Sequence, residues 1–117
     1  MHNYKDLKLW QKAIELSTLT YKLTSTFPKD ERYGLISQIQ RAVVSIPSNV
    51  AEGCGRNSDK ELNHFLAIAT GSSFELETQL LIARNLGFTE NVLLEQVLTQ
   101  LTEVQKMIYG LKNSLKV

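Results

Sequence analysis

Cysteine occurs once in the 117 residues of this chain, proline twice and glycine six times. The lone thiol, Cys54, has no partner for an internal disulfide, which points to a reducing compartment such as the cytoplasm. With so little proline and glycine to punctuate short strands, and with leucine, alanine, glutamate, lysine and glutamine plentiful, the chain favours long helices. No apolar run approaches the roughly 20 residues that a membrane-crossing helix needs. The opening Met1-His2-Asn3-Tyr4-Lys5-Asp6 lacks the apolar stretch of a signal peptide. There is no excess of one charge either. The net charge is +1 with 21% charged residues, so global electrostatics gives no pull toward nucleic acid or a membrane. Also missing are a glycine-rich phosphate loop, a Gly-x-Ser-x-Gly elbow and a Cys-x-x-Cys pair. Those absences argue against an enzyme, and no catalytic residue, cofactor or metal is expected.

What is present is apolar periodicity. Apolar residues make up 43% of the chain, enough for one core, and the spacing predicts a single all-α domain over residues 1–117. The first helix is expected over 6–24, with Leu9, Ala13, Leu16, Thr20 and Leu23 on one face and Trp10, Ile14, Ser17 and Tyr21 in a stripe beside it. Phe27-Pro28 ends it. The second is expected over 30–52, where Asp30 and Glu31 suit the positive end of the helix dipole. Its stripe of Ile36, Ile39, Val43, Ile46 and Val50 runs through Pro47, which should kink the helix without ending it. Gly53 and Gly55 then supply a stop.

Ser58 and Glu61 read as a capping box for a third helix over 59–85, with Leu62, Phe65, Ala69, Leu76, Leu80 and Ala83 facing the core. The small stretch Ala69-Thr70-Gly71-Ser72-Ser73 suggests close approach of a neighbouring helix, such as the bulky first one. After Gly87, Thr89 is placed as the cap of a fourth helix over 90–115. There Leu94, Val97, Leu101, Val104, Ile108, Leu111 and Leu115 keep a heptad. Short connections make consecutive helices antiparallel, so the expected fold is an up-down-up-down four-helix bundle.

Candidate chemistry is sparse. Cys54 follows a helix end, which disfavours a thiolate, and neither His2 nor His64 is evidently a base for it. Glu61-x-x-His64 has the spacing of a di-iron carboxylate site, but a second such pair and two further glutamates are lacking. A polar cluster at the end of the second helix, with Ser45, Ser48, Asn49, Glu52 and Arg56, reads as structural, capping the helix and repairing the bond lost at Pro47. Gln38, Arg41, Glu75 and Gln79 are placed to form a second interhelical network.

Charge is distributed unevenly. The bundle topology brings the N-terminus, the helix 2–3 turn and the C-terminus to one end. There Lys5, Lys8, Lys12, Arg56, Lys60, Lys112 and Lys116 face Asp6, Glu52, Asp59 and Glu61, a surplus of three positive charges. At the other end Lys22, Lys29, Arg32 and Arg84 face Asp30, Glu31, Glu75, Glu77, Glu90 and Glu95, an excess of two negative charges. Lys5, Lys8 and Lys12 are expected on one helical face.

Two blocks carry a resemblance. Arg41-Ala-Val-Val-Ser-Ile-Pro-Ser-Asn-Val-Ala-Glu-Gly-Cys-Gly-Arg56 and Phe65-Leu-Ala-Ile-Ala-Thr-Gly-Ser-Ser-Phe-Glu-Leu-Glu-Thr-Gln-Leu80 resemble those of the 23S rRNA-intervening-sequence four-helix bundle proteins. So do the opening Tyr4-Lys-Asp-Leu-Lys-Leu-Trp10 and the turn Phe27-Pro28-Lys-Asp-Glu-Arg-Tyr-Gly34. Val50 stands where isoleucine is common in that signature. The resemblance implies a bacterial protein that assembles as a homopentamer, with no established catalytic residue. It also implies kinship with the accessory variability protein of diversity-generating retroelements, which works with a reverse transcriptase and nucleic acid.

Five copies would bring about fifteen surplus charges to one rim, where weak contacts add. The resulting expectation is a non-enzymatic oligomeric adaptor that binds RNA, DNA or a nucleic-acid enzyme through that rim. The alternative is a protein–protein scaffold with an apolar interface, drawing on residues such as Leu93, Leu98 and Tyr109, and with no nucleic-acid role.

Overall fold

Leucine and isoleucine at helical spacing need a second helix to cover them, and four such faces close on each other. The computed structural model describes residues 3–117. It has four α-helices: α1 (Lys8–Thr24), α2 (Leu35–Cys54), α3 (Asp59–Leu86) and α4 (Asn91–Ser114). Each packs against its sequence neighbours and α4 closes on α1, while the diagonal pairs stay apart. The 28 residues of α3 rise about 42 Å, nearly the full 44 Å long axis of the molecule. At one end Phe27 and Phe88 meet edge to face, with ring centroids 5.8 Å apart, and Thr26 Oγ1 pairs with Thr89 Oγ1. At the other end Lys116 N donates to Asp59 Oδ2 at 3.2 Å. These contacts join alternate turns at opposite ends, as in an up-down-up-down bundle. Among the described residues no helix is long and apolar enough to cross a membrane.

The heptad of α4 falls as expected. Leu94, Val97, Leu101, Val104 and Ile108 are buried, with Leu111 and Leu115 at the core's edge. Leu93 and Leu98 also pack against the core, so of the three residues expected to be exposed only Tyr109 stands out in solvent. On α3 it is Leu66 that is fully buried, while Phe65 stays half-buried. Gly87 ends α3 with φ +69°, and Phe88 N donates back to Ala83 O at 3.1 Å, so the left-handed residue closes the last turn.

Several boundaries differ from the sequence reading. Leu7 is extended (φ −77°, ψ 125°) and separates a 3-10 turn at Tyr4–Asp6 from α1, so the first α-helix begins at residue 8 and not at 6. Lys29–Glu31 likewise form a 3-10 turn, and α2 begins only at Leu35. The chain redirects at Gly34, and Glu31 Oε1 accepts the Leu35 N–H from outside the helix at 3.3 Å. The acids thus precede the first turn they were expected to occupy. Thr89 is engaged with Thr26 and does not cap α4; Glu90 holds that position without a side-chain bond. The capping box is half made. Glu61 N donates to Ser58 Oγ at 3.2 Å, while the Glu61 carboxylate takes the Ser58 hydroxyl at 3.1 Å and not a backbone amide.

Pro47 lies inside α2, which continues through it to Cys54. Proline has no N–H to give the Val43 carbonyl four residues back. That carbonyl is approached by Ser17 Oγ of α1 at 3.4 Å, the longer arm of a hydroxyl that also donates to Ala13 O at 2.8 Å. The repair comes from α1, not from the Ser45–Arg56 cluster.

The glycines exchange their expected roles. Gly53 is a buried residue within α2, where an added Cβ would lie 2.8 Å from Leu62 Cδ1 and 3.0 Å from Phe65 Cβ. It is there because α3 passes close. Gly71 faces open space, and the small residues that meet a neighbour are Ser72 and Ser73 beside it. Their neighbours are α2 and α4 and not α1: Ser72 Oγ lies 2.8 Å from Ser45 Oγ, and Gln105 Nε2 reaches Ser73 Oγ at 3.4 Å. Asn49 Nδ2 supports the Ser45 hydroxyl from one turn along α2, donating to Ser45 O and Ser45 Oγ at 2.8 and 2.9 Å.

Two predictions follow from this packing. Gly53→Ala gains about 1 kcal/mol of helix propensity but forces Leu62 and Phe65 to shift, a strain of about 1–3 kcal/mol. It should lower the denaturation midpoint, whereas Gly71→Ala, with no neighbour to meet, should raise stability by about 1 kcal/mol. Ser45→Ala strands the buried Ser72 hydroxyl and should cost about 1–2 kcal/mol. The double replacement with Ser72→Ala should cost less than the two single effects added together, since both partners then leave. Denaturant unfolding of the three serine variants and the two glycine variants reads all of these values.

Candidate nucleic-acid interface

The end of the bundle that carries the basic residues is assembled from three pieces of chain. The 3-10 turn Tyr4–Asp6 is capped by Asn3, whose Oδ1 accepts Lys5 N at 3.2 Å. Gln11 Nε2 donates to Lys5 O at 2.9 Å, and Tyr4 meets Trp10 edge to face at 5.1 Å. This fastening holds the segment against the bundle. It also takes Lys5 off the helix that carries Lys8 and Lys12, so the three lysines do not share one helical face. Lys5 Nζ instead sits 6.0 Å from the Tyr4 ring centroid.

The turn between α2 and α3 supplies Arg56 and Lys60. The Arg56 guanidinium lies 4.8 Å over the Phe65 ring and 3.0 Å from Glu52 Oε2. Phe65 in turn sits against Gly53, so the backbone approach that glycine permits also sets this stack. Lys12 is 3.7 Å from Glu103, and both side chains are about half exposed, which makes the pair weak. Among the described residues, Lys5, Lys8, Lys60, Lys112 and Lys116 have no carboxylate within 4 Å. Of the four acids at this end, Glu52 is taken by Arg56, Asp59 by the Lys116 amide and Glu61 by the Ser58 hydroxyl. The cations are therefore less neutralised by near neighbours than a count of charges suggests.

The other sequence candidates separate. Of the polar cluster, Ser45 and Asn49 join Ser72 between α2 and α3, whereas Glu52 and Arg56 form a surface pair and Ser48 is exposed. The expected network of Gln38, Arg41, Glu75 and Gln79 is not made. These residues line one cleft between α2 and α3, yet Arg41 and Glu75 do not pair, and the buried Gln79 Oε1 has no hydrogen-bond partner among the described residues. Cys54 is buried, and desolvation raises its thiol pKa, the reverse of an activated nucleophile. His64 is exposed, edge-on to Phe65, and Glu61 is held in the cap. Among the described residues no three His, Cys, Asp or Glu side chains gather in a metal-ligating group. His2 lies outside the described residues.

The sequence pointed to Tyr109 as a surface apolar residue but not to Phe74 or to the groove they share. Phe74 of α3 and Tyr109 of α4 are 57% and 68% exposed and line one groove between these helices. A small-residue stretch on α3 was visible in the sequence. The facing position of Tyr109 depends on the register of two distant helices.

The protein-family model described as 23S rRNA-intervening sequence protein matches residues 5–110. No curated protein matches the chain. A solved structure from Bacteroides thetaiotaomicron VPI-5482, described as a protein with unknown function from the S23 ribosomal protein family, superposes with a TM-score of 0.81. It is 20% identical over 91% of this chain and 99% of that one, a likeness of fold. With the family model spanning most of its length, and the bundle and both signature blocks in place, the chain belongs to the 23S rRNA-intervening sequence protein family.

Proposed function

We propose that this protein is a non-enzymatic, self-assembling adaptor that holds the phosphate backbone of RNA or DNA through the basic end of its bundle. The observation that carries the reading is the set of five lysines there, Lys5, Lys8, Lys60, Lys112 and Lys116, without carboxylate partners, beside acids that are mostly engaged. Lysines on separate pieces of chain contact phosphates without reading bases, so binding is tolerant of sequence and steeply dependent on salt. Self-assembly multiplies such weak contacts. The surface proposed for it is the face of α1 and α2 where Ile14, Tyr21 and Val44 are each more than a third exposed. A homopentamer, as the family resemblance implies, is the form proposed. A protein scaffold without nucleic acid is the second reading, and the same apolar patch is what favours it.

Two measurements decide between them. In low salt, Lys5→Glu/Lys8→Glu/Lys60→Glu should weaken binding of a short duplex at least about tenfold. It should also flatten the plot of log affinity against log salt by roughly three units, near 0.9 for each lost phosphate contact. Unchanged affinity in this variant removes the nucleic-acid role and leaves the scaffold. Ile14→Glu/Val44→Glu should shift the protein to a smaller mass in native mass spectrometry, and an unchanged mass rules out the α1–α2 patch as the assembly surface.

A further inference from the structure

We infer that the groove between α3 and α4 binds single-stranded nucleic acid by stacking its bases on Phe74 and Tyr109, with Lys106 holding the phosphate between them and Lys112 the phosphate beyond Tyr109 toward the basic end. This rests on the reading above and adds to it a class of substrate. The groove is about 540 Å³ and its lining contains no carboxylate. Lys106 and Lys112 have no acidic partner within 4 Å. Glu77 beside the groove already accepts Gln105 Nε2 at 3.1 Å. The contacts of Gln105 with Ser73 and of Arg84 with Glu95 fix the antiparallel register. In that register Tyr109 stands at about the level of residue 69, five residues from Phe74, or roughly 7 Å along the axis at 1.5 Å per residue. Two bases of an extended strand can then take one ring each. Aromatic faces set among lysines are the usual means of holding single strands without regard to sequence, and a duplex, whose bases are already stacked, cannot use them.

Other occupants fit less well. A second copy docked about a two-fold axis through the groove would bring Lys106 and Lys112 near their own counterparts, and the self-assembly contacts are proposed above for the α1–α2 patch instead. An acidic amphipathic helix matches the charge, but the two aromatics are exposed on separate helices and offer no single deep pocket for an anchor. The groove is also continuous with the basic end, since Lys112 belongs to both, so a strand held there leads directly into it.

The test compares a labelled 12-nucleotide single strand with the blunt duplex of the same sequence, by fluorescence anisotropy in low salt. Phe74→Ala and Tyr109→Ala remove exposed side chains, and unchanged melting curves will confirm that the variants fold. Each should weaken single-strand binding by roughly five- to a hundredfold while duplex affinity stays within about twofold, and Tyr109→Phe should retain binding. If both alanine variants hold the single strand as the parent does, while the lysine reversal still weakens duplex binding, the groove is refuted and the basic end stands. If the parent binds neither form, both ideas fall. An acidic helical peptide that binds the parent but not Tyr109→Ala, with single-strand affinity unmoved, would reassign the groove to a protein partner and overturn the inference.

Discussion

The close passage of α3 over Gly53 is the contact on which the rest of the molecule depends. A side chain at that position would meet Leu62 and Phe65 at less than ordinary van der Waals distance. Because there is none, the two helices run close from the turn upward, and Ser45, Asn49 and Ser72 can share short hydrogen bonds farther along. The same approach fixes Phe65, and the Phe65 ring is where the Arg56 guanidinium rests. A packing detail at the foot of the bundle thereby sets the shape of its charged end. The energies are small one at a time, but a domain of this size is stable by only about 5–15 kcal/mol, so a strained contact here would be felt throughout.

The four-helix architecture was legible in the sequence because apolar spacing records burial directly. The α4 heptad is the clearest case, and Leu94 through Ile108 are buried as their spacing requires. Gly87 was legible for a different reason: a positive φ at a helix end selects glycine almost by itself. What the sequence concealed was the reason for residues whose partners lie on other helices. Gly53 and Gly71 look alike in sequence, and only the packing shows that one is pressed by α3 while the other faces open space. Thr89 has the chemistry of a helix cap, yet Thr26, 63 residues away in sequence, claims its hydroxyl. The acids before α2 suit a helix dipole equally well one turn early, and Gly34 decided the matter.

The candidate site was legible in outline and not in detail. The alternation of helix direction was the ground for expecting the seven cations at one end. It could not tell that Lys12 and Arg56 have carboxylate neighbours while the other five do not, because pairing depends on side chains that meet across helices. Nor could it tell that Leu7 would break the helix and carry Lys5 away from Lys8. Phe74 was hidden for the same reason, and so was its pairing with Tyr109. The exposure of Tyr109 could be expected from α4 alone, but the groove exists only between the two helices.

Pro47 has a consequence beyond its own helix. A helix normally satisfies its carbonyls internally, and it can therefore slide or rotate against a neighbour without breaking main-chain bonds. Here the Val43 carbonyl lacks the amide four residues on, because that residue is Pro47, and the Ser17 hydroxyl of α1 approaches it. Shifting α1 by one residue would carry that hydroxyl about 1.5 Å along the axis and out of reach. The missing amide thus acts as a registration mark, tying two helices of otherwise repetitive surface to a single vertical alignment.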